Sequence, residues 1–337
     1  MSLIFMDGFD FYTTSQVTLN GFSGTPAFFS NSYGGVSPRF GYGYFCNPNG
    51  NGNNGMNRAL PTKTSIVFGV AIYWFGNNPN RAVLQFYDPT GLQVALKSNG
   101  GYLQFYRGGQ QLAASSAPYR LGWNYYELAI TIDQNNGSLE LRINGSTFMK
   151  VENVNTQGSA TNTLTFMDFG ASSAWDFLID DVYMVDTLGT TNNTFLGDVR
   201  VVCQVASGPG DSAQWTPNGA SANWQCTNSI PFAGSPSSFV SSSTPGQVDL
   251  YAVGAPPSAV NTVFALQTNL VAYKDDSGTR TIHGLLKSGS TLVETSDYAL
   301  GTSYQPFITT YDNDPNTSAP WTSAALSQLQ IGIKEIA

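Results

Sequence analysis

The stretch from Trp123 to Asp186 constrains the fold more than any other part of the chain. It opens with W-N-Y-Y-E-L-A-I-T-I-D, in which Tyr126, Leu128, Ile130 and Ile132 fall on one face of an alternating strand. Asp133 to Gly137 supplies an Asx/Gly turn, and L-E-L-R-I-N-G resumes the two-residue period through Leu139, Leu141 and Ile143. Two such runs joined by a short polar turn read as an antiparallel hairpin, half buried and half wet. A further strand at Leu164–Phe169 is followed by W-D-F-L-I-D-D-V-Y-M-V-D. Strict alternation there puts Trp175, Phe177, Ile179, Asp181, Tyr183 and Val185 in one register and Asp176, Leu178, Asp180, Val182, Met184 and Asp186 in the other. The stretch builds an antiparallel sandwich one hairpin at a time and contains no recognisable catalytic pattern.

The same grammar extends in both directions. Strand signals occupy 3–12, Ser65–Phe75, Ala82–Tyr87, Leu92–Lys97 and Tyr102–Tyr106, separated by G-N-N-P-N, D-P-T-G, S-N-G-G and R-G-G-Q turns. Short strands at such spacing argue for a sandwich or barrel rather than βα units. Between Gly21 and Asn57 the chain is loop-like, with R-F-G-Y-G-Y-F alternating Phe40, Tyr42 and Tyr44 against glycine and a surface loop at 47–55. The polar passage from Asp186 to Thr194 marks a boundary, so the expected domains are 1–188 and 196–337. The second is expected to be all-β, with strands at Val263–Tyr273, Arg280–Ser288 and Tyr304–Tyr311. A short helix near 322–330 is capped by Thr322, and Q-I-G-I-K-E-I forms a closing strand.

Charge and cysteine content exclude several function classes. Only 11% of the 337 residues are charged, against roughly 25% in a typical soluble domain, so the polar surface comes from Asn, Ser, Thr, Gln and Gly. With a net charge of -8 and 14 thinly spread Lys and Arg, the chain lacks a cluster able to neutralise phosphates, and no nucleic-acid partner is expected. Cys46, Cys203 and Cys226 form no metal quartet. Cys203 and Cys226 either pair across neighbouring strands or stand as two buried thiols, the second being the plainer expectation. The opening M-S-L-I-F-M-D-G-F-D has no basic region and is broken by Asp7, so neither a signal peptide nor membrane insertion is expected.

Two segments in the first half, F-M-D-G-F-D at 5–10 and G-W-N-Y-Y-E-L-A-I-T-I-D followed by G-S-L-E-L-R-I-N-G and F-L-I-D-D-V-Y-M-V-D, resemble the concanavalin A-like, laminin-G-like sandwich domains of bacteriophage structural proteins. The second half is similar to a domain that follows such sandwiches in phage and prophage tail or virion proteins. F-L-G-D-V-R-V, W-T-P, S-F-V-S-S-S-T-P-G-Q-V-D, K-D-D-S-G-T-R-T-I, L-V-E-T-S-D-Y-A-L and D-P-N-T-S-A-P-W-T-S-A-A-L-S-Q-L-Q-I-G-I-K carry that likeness. The resemblance implies an all-β chain with an N-terminal jelly roll, a second β-sandwich-like domain and one short C-terminal helix. It also implies a non-enzymatic virion protein, assembled in the host cytoplasm and released by lysis. A tail fibre, spike or adaptor is the first expectation. A capsid decoration or head-fibre protein, or a non-viral carbohydrate-binding module, is the alternative. The expected partners are other virion proteins, a host surface glycan and further copies of the chain, a homotrimer first.

Candidate sites divide as follows. Asp180 and Asp181 suggest calcium, but a pair supplies too few oxygens and consecutive strand residues face opposite ways, so a structural or surface role is expected. Asp275 and Asp276 read as turn residues before Gly278. Tyr33, Tyr42, Tyr44 and Phe45, with Tyr119, Trp123 and Tyr125, suit either a sugar platform or an interface or core, and the latter is favoured. His283 lies in a strand pattern and reads as a packed or rim residue rather than a triad base. Glu127 and Glu140 are the carboxylate pair to consider for glycoside hydrolysis. No catalytic, cofactor or metal residue is assigned.

Overall fold

A computed structural model of the chain describes residues 2–24, 28–29, 35–41, 45–46, 56–76, 80–170, 177–230, 232, 237–257 and 260–337. The chain divides into two compact units, Met1–Val202 and Cys203–Ala337. Both are almost entirely antiparallel β-structure, and each is sandwich-like. Among the described residues no helix is long and apolar enough to cross a membrane.

The strands of the first unit are β1 (Leu3–Asp7), β2 (Phe22–Gly24), β3 (Phe28–Phe29), β4 (Phe45–Cys46), β5 (Met56–Lys63), β6 (Ser65–Trp74), β7 (Arg81–Asp88), β8 (Gly91–Asn99), β9 (Tyr102–Arg107), β10 (Gln110–Ala114), β11 (Gly122–Thr131), β12 (Gly137–Ile143), β13 (Ser146–Val154), β14 (Leu164–Phe169) and β15 (Phe177–Asp186). One sheet runs β13-β12-β11-β6-β15-β4-β3, with β1 also paired to β15, and the other runs β10-β9-β8-β7-β14-β5-β2. The inward residues of the two sheets meet in an aromatic core. Phe68 of β6 lies 5.8 Å from Phe169 of β14 and 5.9 Å from Phe86 of β7, and Phe5 of β1 lies 5.8 Å from Phe22 of β2. Edge-to-face and tilted pairs of this kind add to the area they bury.

The first strand ends at Asp7, earlier than 3–12, because Phe9 adopts a left-handed φ of 55° and turns the chain. Of R-F-G-Y-G-Y-F only the ends are described: 39–41 form a bend and Phe45 enters β4, while 42–44 and the loop at 47–55 lie outside the described residues.

The hairpin β11–β12 forms in the expected register, Leu128 opposite Leu141 and Ile130 opposite Leu139. It is not half wet throughout. The outward residues Tyr125 and Glu127 of β11 are buried, because the passage after β15 lies over that face. Leu196 N and Gly197 N donate to Glu127 Oε1, both at 2.8 Å, and Val201 N donates to Asp181 Oδ1 at 2.8 Å. The residues from 189 to 201 thus belong to the first unit, and the polar passage 186–194 lies inside it.

The alternation expected for β15 is broken. All ten residues are buried, and a bulge separates Asp180, opposite Ala71, from Tyr183, opposite Gly69, with Asp181 at φ 51°. The extra residue moves Tyr183 and Val185 to the face opposite Phe177 and Ile179. Trp175 and Asp176 lie outside the described residues.

The second unit contains β16 (Ala206–Ala213), β17 (Thr216–Asn218), β18 (Phe239–Ser241), β19 (Val248–Val253), β20 (Leu266–Ala272), β21 (Thr281–Ser288), β22 (Thr291–Glu294), β23 (Tyr298–Ala299), β24 (Gln305–Tyr311), α1 (Ser323–Leu326) and β25 (Gln330–Glu335). The closing strand β25 sits in the middle of the sheet β16-β19-β25-β21-β22. The ribbons β17–β18 and β20–β24 supply Val240, Leu270 and Phe307, which pack on Ile282, Ile333 and Trp215. Thr322 caps α1 as its sequence position predicts, its Oγ1 accepting from Ala325 N at 3.1 Å. Trp321, Leu326 and Leu329 form a separate core cluster with Leu286. Cys203 and Cys226 do not pair with each other; Cys226 is buried and Cys203 only half-buried.

Candidate functional site

The buried acids of the first unit serve the fold. Asp180 Oδ2 accepts from Arg39 N at 2.9 Å and Oδ1 from Asp181 N at 2.8 Å, while Asp181 Oδ2 takes the Arg39 guanidinium at 3.2 Å. The bulge overrides the expectation that consecutive residues face opposite ways: both carboxylates are fully buried and both engage Arg39, in a structural role. Burial raises the pKa of each. Asp7 is likewise buried; its carboxylate accepts from Phe9 N at 2.7 Å and from the Tyr12 hydroxyl, and burial pushes it up to about 6. Among the described residues, no group of three or more His, Cys, Asp or Glu side chains is arranged to hold a metal ion.

Glu127 and Glu140 are diagonal neighbours on one face of the hairpin, since Glu127 opposes Arg142 and Glu140 opposes Ala129. Each is engaged elsewhere. Glu127 Oε1 accepts from Tyr183 Oη at 2.6 Å as well as from the two backbone N–H groups above it. Glu140 is held by Arg142 Nε at 2.8 Å and by Thr147 and Lys150. Glu127 holds a covering segment down, and Glu140 joins a surface ion network.

Tyr119 is buried in a stack on Trp74, 4.2 Å between centroids, and Tyr125 is buried with its hydroxyl donating to Asp181 O at 2.9 Å. Trp123 is half-buried beside Tyr73. Tyr33, Tyr42, Tyr44 and the Phe45 side chain lie outside the described residues. In the second unit Asp276 accepts from Gly278 N at 3.0 Å and pairs with Arg280, as a turn acid does. His283 stands at a rim, Nδ1 2.8 Å from Glu294 and Nε2 2.7 Å from Asp297. Partial burial lowers its pKa, and the two carboxylates outweigh this and raise it. Asp249, which the sequence does not distinguish, is a buried hub accepting from Gln214 N, Trp215 N, Asn223 Nδ2 and Tyr251 Oη at 2.6–2.9 Å.

What remains is the outer face of the β10-β9-β8-β7-β14-β5-β2 sheet. Strand alternation sends Leu84, Phe86, Val94, Leu96, Leu103, Phe105, Met167 and Phe169 into the core, where all are buried. The intervening residues face out, and the registers align them. Gln111 opposes Tyr106, Tyr106 opposes Ala95, Ala95 opposes Gln85, Gln85 opposes Asp168, Asp168 opposes Asn57, and Asn57 opposes Ser23. This is one continuous row across all seven strands. Beside it, Tyr87 and Phe166 are Cα partners whose rings meet edge to face at 5.9 Å. On the neighbouring row Lys97 opposes Gln104, and its ammonium lies 4.1 Å from the Tyr106 ring centre. Tyr106 Oη is 3.3 Å from both Gln104 Oε1 and Gln111 Oε1. Tyr102, 42% exposed, extends the aromatic set toward the turn.

The electrostatics of the row centre on Asp168. No described residue donates a hydrogen bond to it, and its Oδ1 is buried without a partner. Burial pushes its pKa up to about 6. Tyr87 is raised by burial and by the nearby Asp168 charge, with Gln85 pulling the other way. The face therefore offers aromatic surface, side-chain amides with free donor and acceptor capacity and, at Asp168 Oδ2, an acceptor without a donor. None of these residues stands out in the sequence. Alternation identifies each as outward-facing, but only the registers and bulges set Gln85, Asp168 and Asn57 side by side.

No protein-family model matches the chain, and no curated protein matches it. Among solved structures, the chain is similar to the CBM2 module of the evolved Dit of Lactobacillus casei BL23 phage J-1, with 16% identity and a TM-score of 0.37 over 55% of this chain and 95% of that one. It is similar to the alginate lyase Aly36B at 12% identity and a TM-score of 0.37, over 51% of this chain and 90% of that one. A sialidase matches at 11% identity and a TM-score of 0.34 over 42% of this chain, which spans only 15% of the sialidase. Likenesses this slight carry no conclusion about ligand or activity.

Proposed function

We propose that the first unit is a carbohydrate-binding module, without catalysis, whose ligand lies on the outer face of the β10-to-β2 sheet. The observation that carries this is the unbroken row from Gln111 to Ser23, six of whose seven side chains are polar, flanked by Tyr87, Phe166 and Tyr102. Sugar rings present apolar C–H faces and peripheral hydroxyls. Aromatic side chains match the first by contact, and Gln, Asn and Asp match the second by hydrogen bonding. Glycan-array binding of the full chain, repeated with Tyr87→Ala and Gln85→Ala, tests it. Binding that falls about tenfold in each variant, the scale of one lost contact worth ~1.4 kcal/mol, supports the proposal. Binding that both variants leave intact, or no binding at all, overturns it.

The setting we infer for this module is a phage particle, at the tail before the capsid. The sequence likenesses along both halves of the chain support it. In that setting the second unit serves attachment to other particle proteins and the first contacts a host surface glycan.

A further inference from the structure

We infer that the ligand of this face is a neutral, hydroxyl-rich polysaccharide chain, and that Asp168 is the specificity-determining residue that excludes acidic glycans. This rests on the carbohydrate-binding proposal and adds the ligand class to it.

Asp168 stands within the row with Gln85 on one side and Asn57 on the other as direct Cα partners, so a ligand crossing the strands passes over it. The row spans six inter-strand spacings, about 29 Å. That length accommodates a chain of several sugars and greatly exceeds a single one.

Asp168 is the one acid in the row, and among the described residues it accepts no hydrogen bond and forms no ion pair. Its Oδ1 is sealed from solvent, so an arriving O–H is taken at Oδ2; a largely desolvated carboxylate without donors gains from that O–H and loses against an arriving carboxylate or sulfate. Lys97, on the neighbouring row and two strands away, is occupied over the Tyr106 ring and does not neutralise it. The other positions of the row are uncharged. A polymer carrying an anion at every sugar would therefore meet one repulsive site and no compensating cations within the row. A polymer carrying a cation at every sugar would find a single partner. A neutral chain meets no such mismatch, donating to Asp168 and exchanging donors and acceptors with the amides, while Ala95 is buried between them.

The test is affinity gel electrophoresis of the full chain at pH 7.5 in gels holding neutral polysaccharides (galactomannan, xylan, mixed-linkage glucan, dextran), acidic ones (alginate, polygalacturonate) and cationic chitosan. At least one neutral gel should retard the protein, and the acidic and chitosan gels should not. Asp168→Ala should weaken neutral binding about tenfold or more, the scale of a hydrogen bond to a charged acceptor. Asp168→Asn removes a desolvated charge that has no partner, so it should fold at least as stably as the parent. It should gain retardation in the acidic gels, an effect that mere structural damage would not produce. Selective retardation by alginate, polygalacturonate or chitosan would overturn the inference while leaving carbohydrate binding standing. So would neutral binding unchanged by both variants. Retardation in no gel, with an array that is also silent, would overturn the binding proposal and this inference with it.

Discussion

Residues with buried carboxylates give the first unit a stability that depends on pH in an unusual direction. Asp7 and Asp168 are pushed up to about 6 from an ordinary 3.8, and burial raises Asp180 and Asp181 as well. A raised acid binds its proton more tightly in the folded chain, so its contribution is complete below 3.8 and is lost as pH rises through the folded value. Asp88 runs the opposite way. Its hydrogen bonds from Thr161 and Thr90 outweigh its burial and hold it low, so its contribution is lost only in strong acid. Between pH 4 and 8 the raised acids decide the slope. Calorimetry should place the melting transition of the first unit higher at pH 4.5 than at pH 7.5, with the difference reduced in Asp7→Asn. A transition that rises with pH over that window would contradict the burial described for these groups. Sequence alone could not supply this result. Asp7 stands in a plain F-M-D-G-F-D run, and nothing local distinguishes a buried acid from an exposed one.

At the scale of elements, three strands depend on one missing side chain. Gly69 of β6 lies between Glu127 of β11 and Tyr183 of β15 in the sheet register. The Tyr183 ring crosses the space above it to reach Glu127, and a Cβ on Gly69 would overlap that ring. Gly69→Ala should cost the first unit about 3 kcal/mol, combining overpacking with the loss of a charged hydrogen bond. Urea unfolding measures it, and a change below ~1 kcal/mol would show that the ring relocates freely. The strand itself was legible. Ser65–Phe75 was expected and Ser65–Trp74 forms, because a long apolar, β-branched run between turns has few alternatives. Its outward face was not legible, since Gly69, Ala71 and Tyr73 are covered by segments distant in sequence. The bulge at Asp180–Asp181 was hidden for a related reason. Its sequence fits unbroken alternation, and only pairing to β6 reveals the extra residue.

For the whole molecule, the proposed phage setting predicts a trimer in the particle. With 11% of residues charged and a net charge of -8, copies repel one another weakly, and a surface of Tyr, Asn, Ser and Thr can form a hydrogen-bonded interface without desolvating many ions. Light scattering at micromolar concentration should give three times 36.1 kDa. Imaging of purified particles should show the chain at threefold contacts. A stable monomer in solution and absence from particles would defeat this. What the sequence by itself determined is the class of fold: period-two alternation and Gly/Asn/Pro turns are local, and they leave an antiparallel sandwich as the way to bury the apolar faces. The capped turn at Thr322 was determined in the same way, by residues in contact along the chain. What only the tertiary structure decided is which outward residues become neighbours. Register is a long-range property, set by strand order and bulges together, and a shift of one residue would exchange the two faces of a strand. The row through Gln85, Asp168 and Asn57 exists because β7, β14 and β5 are adjacent although they lie far apart in sequence. The burial of Glu127 likewise depends on the chain from 189 to 201 returning over β11, a contact between parts of the chain that no local pattern specifies.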